Sequence, residues 1–223
     1  MRSFVISLGG SILVPDKINI NFLKRFRKLI LRHSKKNKFI LIIGGGKTAR
    51  NYQKAAHSVV KVIDEDLDWI GIHSTRLNAH LLRTIFRGIA HPRIVKDPTK
   101  KIGFKKLLIG AGWRPGCSTD YDAVVLAKTY GVKTVINITN VDYLHDKNPA
   151  IYKKTKIIKK ADWKTMRKIV GSKWTPGLNA PFDPEAAKLA QKLKLKLVLI
   201  GPDLKNLDNL LHNKKFKGSV VED

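Results

Sequence analysis

Two short apolar runs, each stopped by glycines, constrain this chain more than any other feature. Phe4–Leu8 (FVISL) ends at Gly9-Gly10-Ser11, and Phe39–Ile43 (FILII) ends at Gly44-Gly45-Gly46-Lys47-Thr48. Short, mostly apolar runs of about five residues between turn signals are the pattern of strands buried on both faces. Helical spacing follows each. Phe22, Phe26, Leu29 and Ile30 form one apolar stripe, with Arg25, Lys28 and Arg32 opposite. A helix beginning near Lys47 puts Ala49, Tyr52 and Ala56 on one face, and Leu77, Leu81, Leu82 and Ile85 mark another that ends near Gly88. Leu107–Ile109 and Val132–Ile138 read as further inner strands around a helix carrying Ala123, Leu126 and Ala127. Asp162 caps a short helix through Val170. A helix over 185–193, a strand Leu195–Ile200 and a helix over 204–212 close the chain. The order predicts an α/β protein: a three-layer αβα sandwich around a mostly parallel sheet. No repeat and no Ser/Gly linker interrupts it, so one domain is expected over residues 1–223.

Composition narrows the function. Hydrophobic residues make up 43% and charged residues 27%, which excludes wholesale disorder. No apolar run approaches the roughly 18 residues of a membrane span, and Gly9-Gly10 arrives too early for a secretory signal. The single cysteine, Cys117, allows no intramolecular disulfide and fits a reducing cytoplasm. Forty-four Lys and Arg against 17 Asp and Glu leave a net charge of +27, which favours anionic partners. Phosphorylated metabolites and nucleic acid both satisfy that condition. The runs KKNK, KKTKIIKK and NKKFK fall between elements and read first as solvated surface, second as a functional basic patch.

The glycine loops carry the chemistry. In open α/β sheets ligands bind beyond the carboxyl ends of strands, where free backbone N–H groups face outward and glycine lets a phosphate approach the main chain. Two such loops in adjacent units imply two phosphate-bearing ligands, or two phosphates of one. A P-loop is excluded, because Leu41 stands where its first glycine belongs. Gly44-x-Gly46-x-x-Ala49 satisfies a permissive dinucleotide fingerprint, with Asp64 after Val59–Ile63 about 20 residues on, so a dinucleotide-dependent oxidoreductase competes. It leaves Gly9-Gly10 unexplained. Seven histidines and one cysteine show neither HExxH nor CxxC spacing, so no metal ligands are assigned.

The segments VISLGGSIL, GGGKTARNY, DWIGIHSTRLNAHLL, RPGCSTDYDAVVLA, INITNVD and PFDPEAAKLA, in this order from about residue 3 to 201, resemble the amino-acid kinase superfamily, and within it the archaeal uridylate (UMP) kinases. The resemblance implies ATP-dependent phosphorylation of UMP to UDP with Mg²⁺ in pyrimidine synthesis. It implies an acceptor-binding N-terminal half, an ATP-binding C-terminal half and a homohexamer. By that resemblance Gly9 and Gly10 face the ATP phosphates and the transferring group, and Gly45, Gly46 and Arg50 hold the UMP phosphate. Asp68 takes the uridine end and Thr119 contacts the acceptor. Thr139, Asn140 and Asp142 form the ATP segment, and Asp183 organises the catalytic centre. Asp183 also reads as a helix N-cap before Pro184.

Three departures stand out. Ser7 occupies the position where many relatives carry a first-strand lysine, and Lys47, at the mouth of the second loop, is expected to supply the missing charge. After NVD, His145 and Asn148 replace the usual aromatic near adenine and the acid near ribose. Around PGLNAPFDP, Trp174 and Pro176 suggest an ordered lid. The rivals are another small phosphate kinase, such as an isopentenyl phosphate kinase using His57 or His73, and a nonenzymatic basic protein that binds nucleic acid. No recognition-helix or aromatic RNA-binding motif supports the second.

Overall fold

The computed structural model describes residues 1–172 and 180–223. The proposed lid residues Trp174 and Pro176 lie outside them.

Strands β1 (Arg2–Leu8), β2 (Asn37–Ile43), β3 (Leu107–Gly110), β4 (Thr134–Ile138) and β8 (Lys196–Ile200) form the parallel body of a seven-stranded sheet ordered β3-β2-β1-β4-β8-β9-β7. Its edge is built by β9 (Ser219–Val221), antiparallel to β8, and β7 (Lys160–Ala161), parallel to β9. The hairpin β5 (Leu144–His145) with β6 (Ile157–Ile158) stands apart. These two- and three-residue pieces are too short for a periodic signal, so the sequence shows only the inner strands.

Alternate strand residues feed two cores. Ile6, Leu8, Leu41, Ile43, Ile136 and Val198 face α1 (Gly10–Leu13), α2 (Ile20–His33), α4 (Asp64–Ile85) and α8 (Leu204–Leu211). Val5, Ile40, Ile42, Leu108, Val135 and Leu197 face α5 (Thr119–Tyr130), α6 (Trp163–Val170) and α7 (Pro184–Lys192). Helices on both faces explain why Phe4–Ile6 in β1 and Phe39–Ile43 in β2 are apolar without alternation. The caps follow side-chain chemistry: Asn19, Ser118, Asp162, Asp183 and Asp203 each accept a hydrogen bond from an N–H in the first turn of the helix that follows.

Two local expectations are corrected. The apolar run Val59–Ile63 is not the strand that a dinucleotide fingerprint needs: α3 (Gly46–Val59) is followed by a short loop and then the 22-residue α4, whose first residue is Asp64. The acid needed for a dinucleotide fingerprint therefore lies in a helical first turn and not at a strand end. Within α3, Tyr52 is 67% exposed, although Ala49 beside it is buried. Leu77 on α4 is likewise exposed, and that helix buries Ile72, Thr75, Asn78, Ala79 and Leu82.

Candidate active site

The two glycine loops leave the carboxyl ends of adjacent, register-matched strands, with Leu8 opposite Ile43. They touch. Gly44 N donates to Leu8 O (3.1 Å), Lys47 N to Val14 O (2.9 Å) and Gly9 N to Ile138 O (2.9 Å). A Cβ on Gly10 would overlap Gly46 N and come within 2.6 Å of Gly44 C. Gly46 has φ +65°, and a Cβ there would collide with Gly10 O. The contact is backbone on backbone, so these two positions need glycine for space, and Gly46 for conformation as well. As first-turn residues, Gly10, Ser11 and Gly46 have N–H groups with no acceptor four residues back. Such groups, prepositioned and without negative charge, suit phosphate oxygens.

Helix α4 braces the second loop. Asn78 Nδ2 donates to Gly44 O (2.9 Å) and Gly45 O (3.2 Å). Thr75 Oγ1 accepts from Gly112 N (2.8 Å) and donates to Ile72 O (2.7 Å). Arg76 donates to Trp113 O (3.2 Å). The TRLNA segment thus fixes the loop and the chain after β3 at one time. In the sequence this segment stands out only through the family resemblance.

Between these parts runs a cleft of about 1090 Å³. Of the residues singled out from the sequence, Gly9, Gly10, Gly45, Gly46, Arg50, Asp68, Thr119, Thr139, Asn140, His145 and Asn148 all line it. Asp68 Oδ2 accepts from Gly116 N (2.7 Å). Partial burial raises the pKa of its carboxyl above the ordinary value, with the charge of Asp64 adding to the rise against that hydrogen bond. His145 shares a hydrogen bond with Thr155 Oγ1 through Nδ1 (2.8 Å). Lys47, Asp142 and Asp183 are not among the lining residues. Asp142 is exposed and lies against Gly201. Asp183 is buried as the N-cap of α7, accepting from Ala186 N (2.7 Å), and burial raises the pKa of its carboxyl. His57 and His73, the candidates for an isoprenoid-type site, are exposed and do not line the cleft.

The structure adds residues that sequence reasoning missed. Ser7 Oγ, in place of the first-strand lysine, donates to Asp120 Oδ1 (2.8 Å), and both line the cleft. Burial pushes the Asp120 carboxyl up to about 7 and that of Asp122 to about 8, with Asp183 adding negative charge to each. Asp122 Oδ2 accepts from Trp113 N (3.1 Å), while its Oδ1 has no partner among the described residues. In the sequence these acids look like ordinary first-turn residues of α5, favoured there by the helix dipole. Lys147 also lines the cleft, its Nζ 5.5 Å from the Tyr152 ring. Cys117 is present too, but burial raises its thiol pKa and leaves it a poor nucleophile.

Residues 2–201 match the amino acid kinase family. The chain is 34% identical over 226 residues to a uridylate kinase of Thermoplasma volcanium, covering 100% of this chain and 98% of that protein. It is also 34% identical to a uridylate kinase of Thermococcus sibiricus, covering 98% of each. The structure superposes on the crystal structure of uridylate kinase from Archaeoglobus fulgidus with a TM-score of 0.83 and 29% identity, over 99% of this chain and 100% of that one. UMP kinase from Bacillus anthracis shares the fold, with a TM-score of 0.78 at 18% identity over 100% of this chain and 96% of that one.

Proposed function

Because the chain belongs to the amino acid kinase family, we propose that it is a uridylate kinase, transferring the γ-phosphoryl group of ATP to UMP to give UDP in pyrimidine nucleotide synthesis. The observation that carries this reading is the contact between the two glycine loops, which brings two phosphate cradles to one cleft. Transfer between two anionic nucleotides is mainly a problem of positioning and charge, and backbone N–H groups answer both needs.

In this reading Gly45, Gly46 and Arg50 hold the UMP phosphate, the arginine through its planar two-donor edge. Asp68 and Thr119 orient the nucleoside. Gly9 and Gly10 face the transferring group, and Thr139, Asn140, His145 and Asn148 take ATP, with Asp142 supporting their segment from outside. Asp183 organises the centre from beneath, through its charge on Asp120 and Asp122. Lys147 on the donor side, and Lys47 from just outside the cleft at the start of α3, supply positive charge that Ser7 does not. Mg²⁺ is held by one or two carboxylates together with substrate phosphates. Asp120, a carboxylate at the cleft beside the proposed donor loop, fits that donor set and would hold the ion, which neutralises charge on the triphosphate.

The whole chain serves as one kinase domain, with the acceptor side on β1–β3 and the donor side on β4–β8. Assembly into a homo-oligomer, a hexamer by resemblance, is supported by the apolar side chains of Tyr52, Val59, Val60, Ile63 and Leu77, all exposed along α3, α4 and the loop between them. The deciding experiment is ADP release from ATP and Mg²⁺ with UMP, CMP and isopentenyl phosphate offered side by side. UMP is expected to give the highest kcat/KM. Preference for the isoprenoid would overturn the acceptor assignment.

A further inference from the structure

At the end of the sheet away from the cleft, His33, Asp208 and His212 meet. Asn37, which begins β2, donates from Nδ2 to His33 O (3.1 Å), and Arg2, which begins β1, donates to Leu211 O (2.8 Å). Both contacts fix the cluster at the amino ends of the strands. We propose that these three residues form a site for a divalent transition-metal ion of the zinc class, joining α2 to α8.

The argument begins with placement. Asp208 and His212 stand four residues apart, on one side of α8. His33, buried in the last turn of α2, reaches them from 175 residues away in sequence. One ligand atom from each lies within 4.8 Å of the other two. His33 Nε2 is 2.6 Å and His212 Nδ1 3.2 Å from Asp208 Oδ1, and the two imidazole rings lie 4.7 Å apart. Tetrahedral zinc with bonds of about 2.0–2.2 Å separates its ligands by about 3.4 Å, so modest side-chain shifts accommodate the ion. The Nδ1 of His212 now also faces its own helix at Asp208 O (3.0 Å), and it exchanges that contact for the metal.

Donor chemistry selects the ion class. Two imidazoles and one carboxylate suit zinc and its neighbours, and leave a fourth position for water. Magnesium and calcium take oxygen sets instead. The site already favours positive charge, because α2 and α8 both end here and each presents the negative end of its dipole. Arg32 now fills that role, 2.5 Å from Asp208 Oδ1, with a side chain 59% exposed that is free to swing into solvent when a metal enters. Spacing motifs within one segment do not find this site, because its ligands come from opposite ends of the chain.

The test uses the full chain after chelator treatment and dialysis. Zn²⁺ is titrated by calorimetry and Co²⁺ by its visible absorbance, with melting followed in parallel. One equivalent of Zn²⁺ per chain is expected, with Tm rising by about 5 °C at a hundredfold excess over Kd. His212→Ala, a change at an exposed side chain, should weaken binding at least tenfold, and Asp208→Asn and His33→Gln should do the same, whereas Cys117→Ser should leave it unchanged. Absence of uptake would overturn the site. Uptake that survives His212→Ala but not Cys117→Ser would overturn it equally, by giving the metal to the thiol.

Discussion

The two ends of the sheet treat carboxylates in opposite ways. At the cleft, half-buried Asp120 and buried Asp122 lie beside Asp183, and their carboxyls are driven up to about 7 and about 8. At the far end, burial also pushes Asp208 upward, but hydrogen bonds from His33 and Arg32, with the charges of Arg32 and His212, outweigh it and hold the carboxyl below its ordinary range. A second cavity of about 640 Å³ at that end is lined by Arg2, Lys133, Lys196 and Lys214, whereas the only Lys or Arg among the described residues lining the cleft are Arg50 and Lys147. Most of the +27 therefore lies on outer surfaces. The Asp208 carboxylate is neutralised by the protein's own cations; the carboxyls at the cleft are left to be neutralised by what binds. That difference suits the proposed binding of a nucleotide with its metal ion at the cleft.

The contrast breaks most severely at Gly10. Gly10→Ala drives a methyl into Gly46 N and Gly44 C, backbone atoms that no side-chain rotation relieves. A kcat/KM loss of at least a hundredfold is expected, about 2.7 kcal/mol of transition-state stabilisation. Circular dichroism on the same samples separates a displaced loop from an unfolded chain. Activity within threefold of the parent would mean that the touching loops are not where transfer occurs.

The next effect concerns the charge that Ser7 lacks. Lys47→Met is expected to lower kcat at least tenfold, or about 1.4 kcal/mol. Lys147→Met should chiefly raise KM for ATP, since it lines the donor side. Steady-state kinetics of the two variants, measured together, tell the roles apart: unchanged turnover in the first with a tenfold loss in the second would move the catalytic charge to Lys147.

Much of this architecture was legible in the sequence, and the reason is local. Buried parallel strands write short, mostly apolar runs, and tight exits write glycine, so β1, β2 and both loops could be read from FVISLGG and FILIIGGG alone. The cleft residues that could be named were those sitting on such loops, or matched by family resemblance. What stayed hidden depends on pairing across the chain. Ser7 reaches Asp120 over 113 residues, and His33 reaches Asp208 over 175, distances at which spacing carries no signal. Tyr52 shows a different limit: helical periodicity marks an apolar face without saying whether this chain or another copy covers it.

A smaller effect tests the cleft's acids. Asp122 in the unfolded chain titrates near 4, but in the fold its carboxyl titrates at about 8. Between those values the native state holds a proton that the unfolded state releases, so stability falls as pH rises through that window and levels off above it. Asp122→Asn removes the titration while keeping an oxygen for Trp113 N. The variant should melt close to the parent at pH 4 and higher at pH 9, by roughly 5 °C or more. A constant difference across that range would show that Asp122 does not carry the pH dependence.

Asp208 gives the mirror image at the smallest scale. Its carboxyl is held low, so its contribution is full above the unfolded value near 4 and is lost as pH falls through the lower folded one. The pair with Arg32 is largely solvated and contributes little, since exposed ion pairs are typically worth at most about 1 kcal/mol. The bond to buried His33 matters more, because breaking it leaves a polar ring without its partner. Asp208→Asn in chelator-treated protein should therefore cost about 1 kcal/mol at pH 7, a Tm decrease of about 3 °C, with the gap closing below pH 4. Turnover should not change, because the far end touches neither loop. A loss of kcat in this variant would mean that the two ends of the sheet are coupled, and that their opposite electrostatics form one device instead of two.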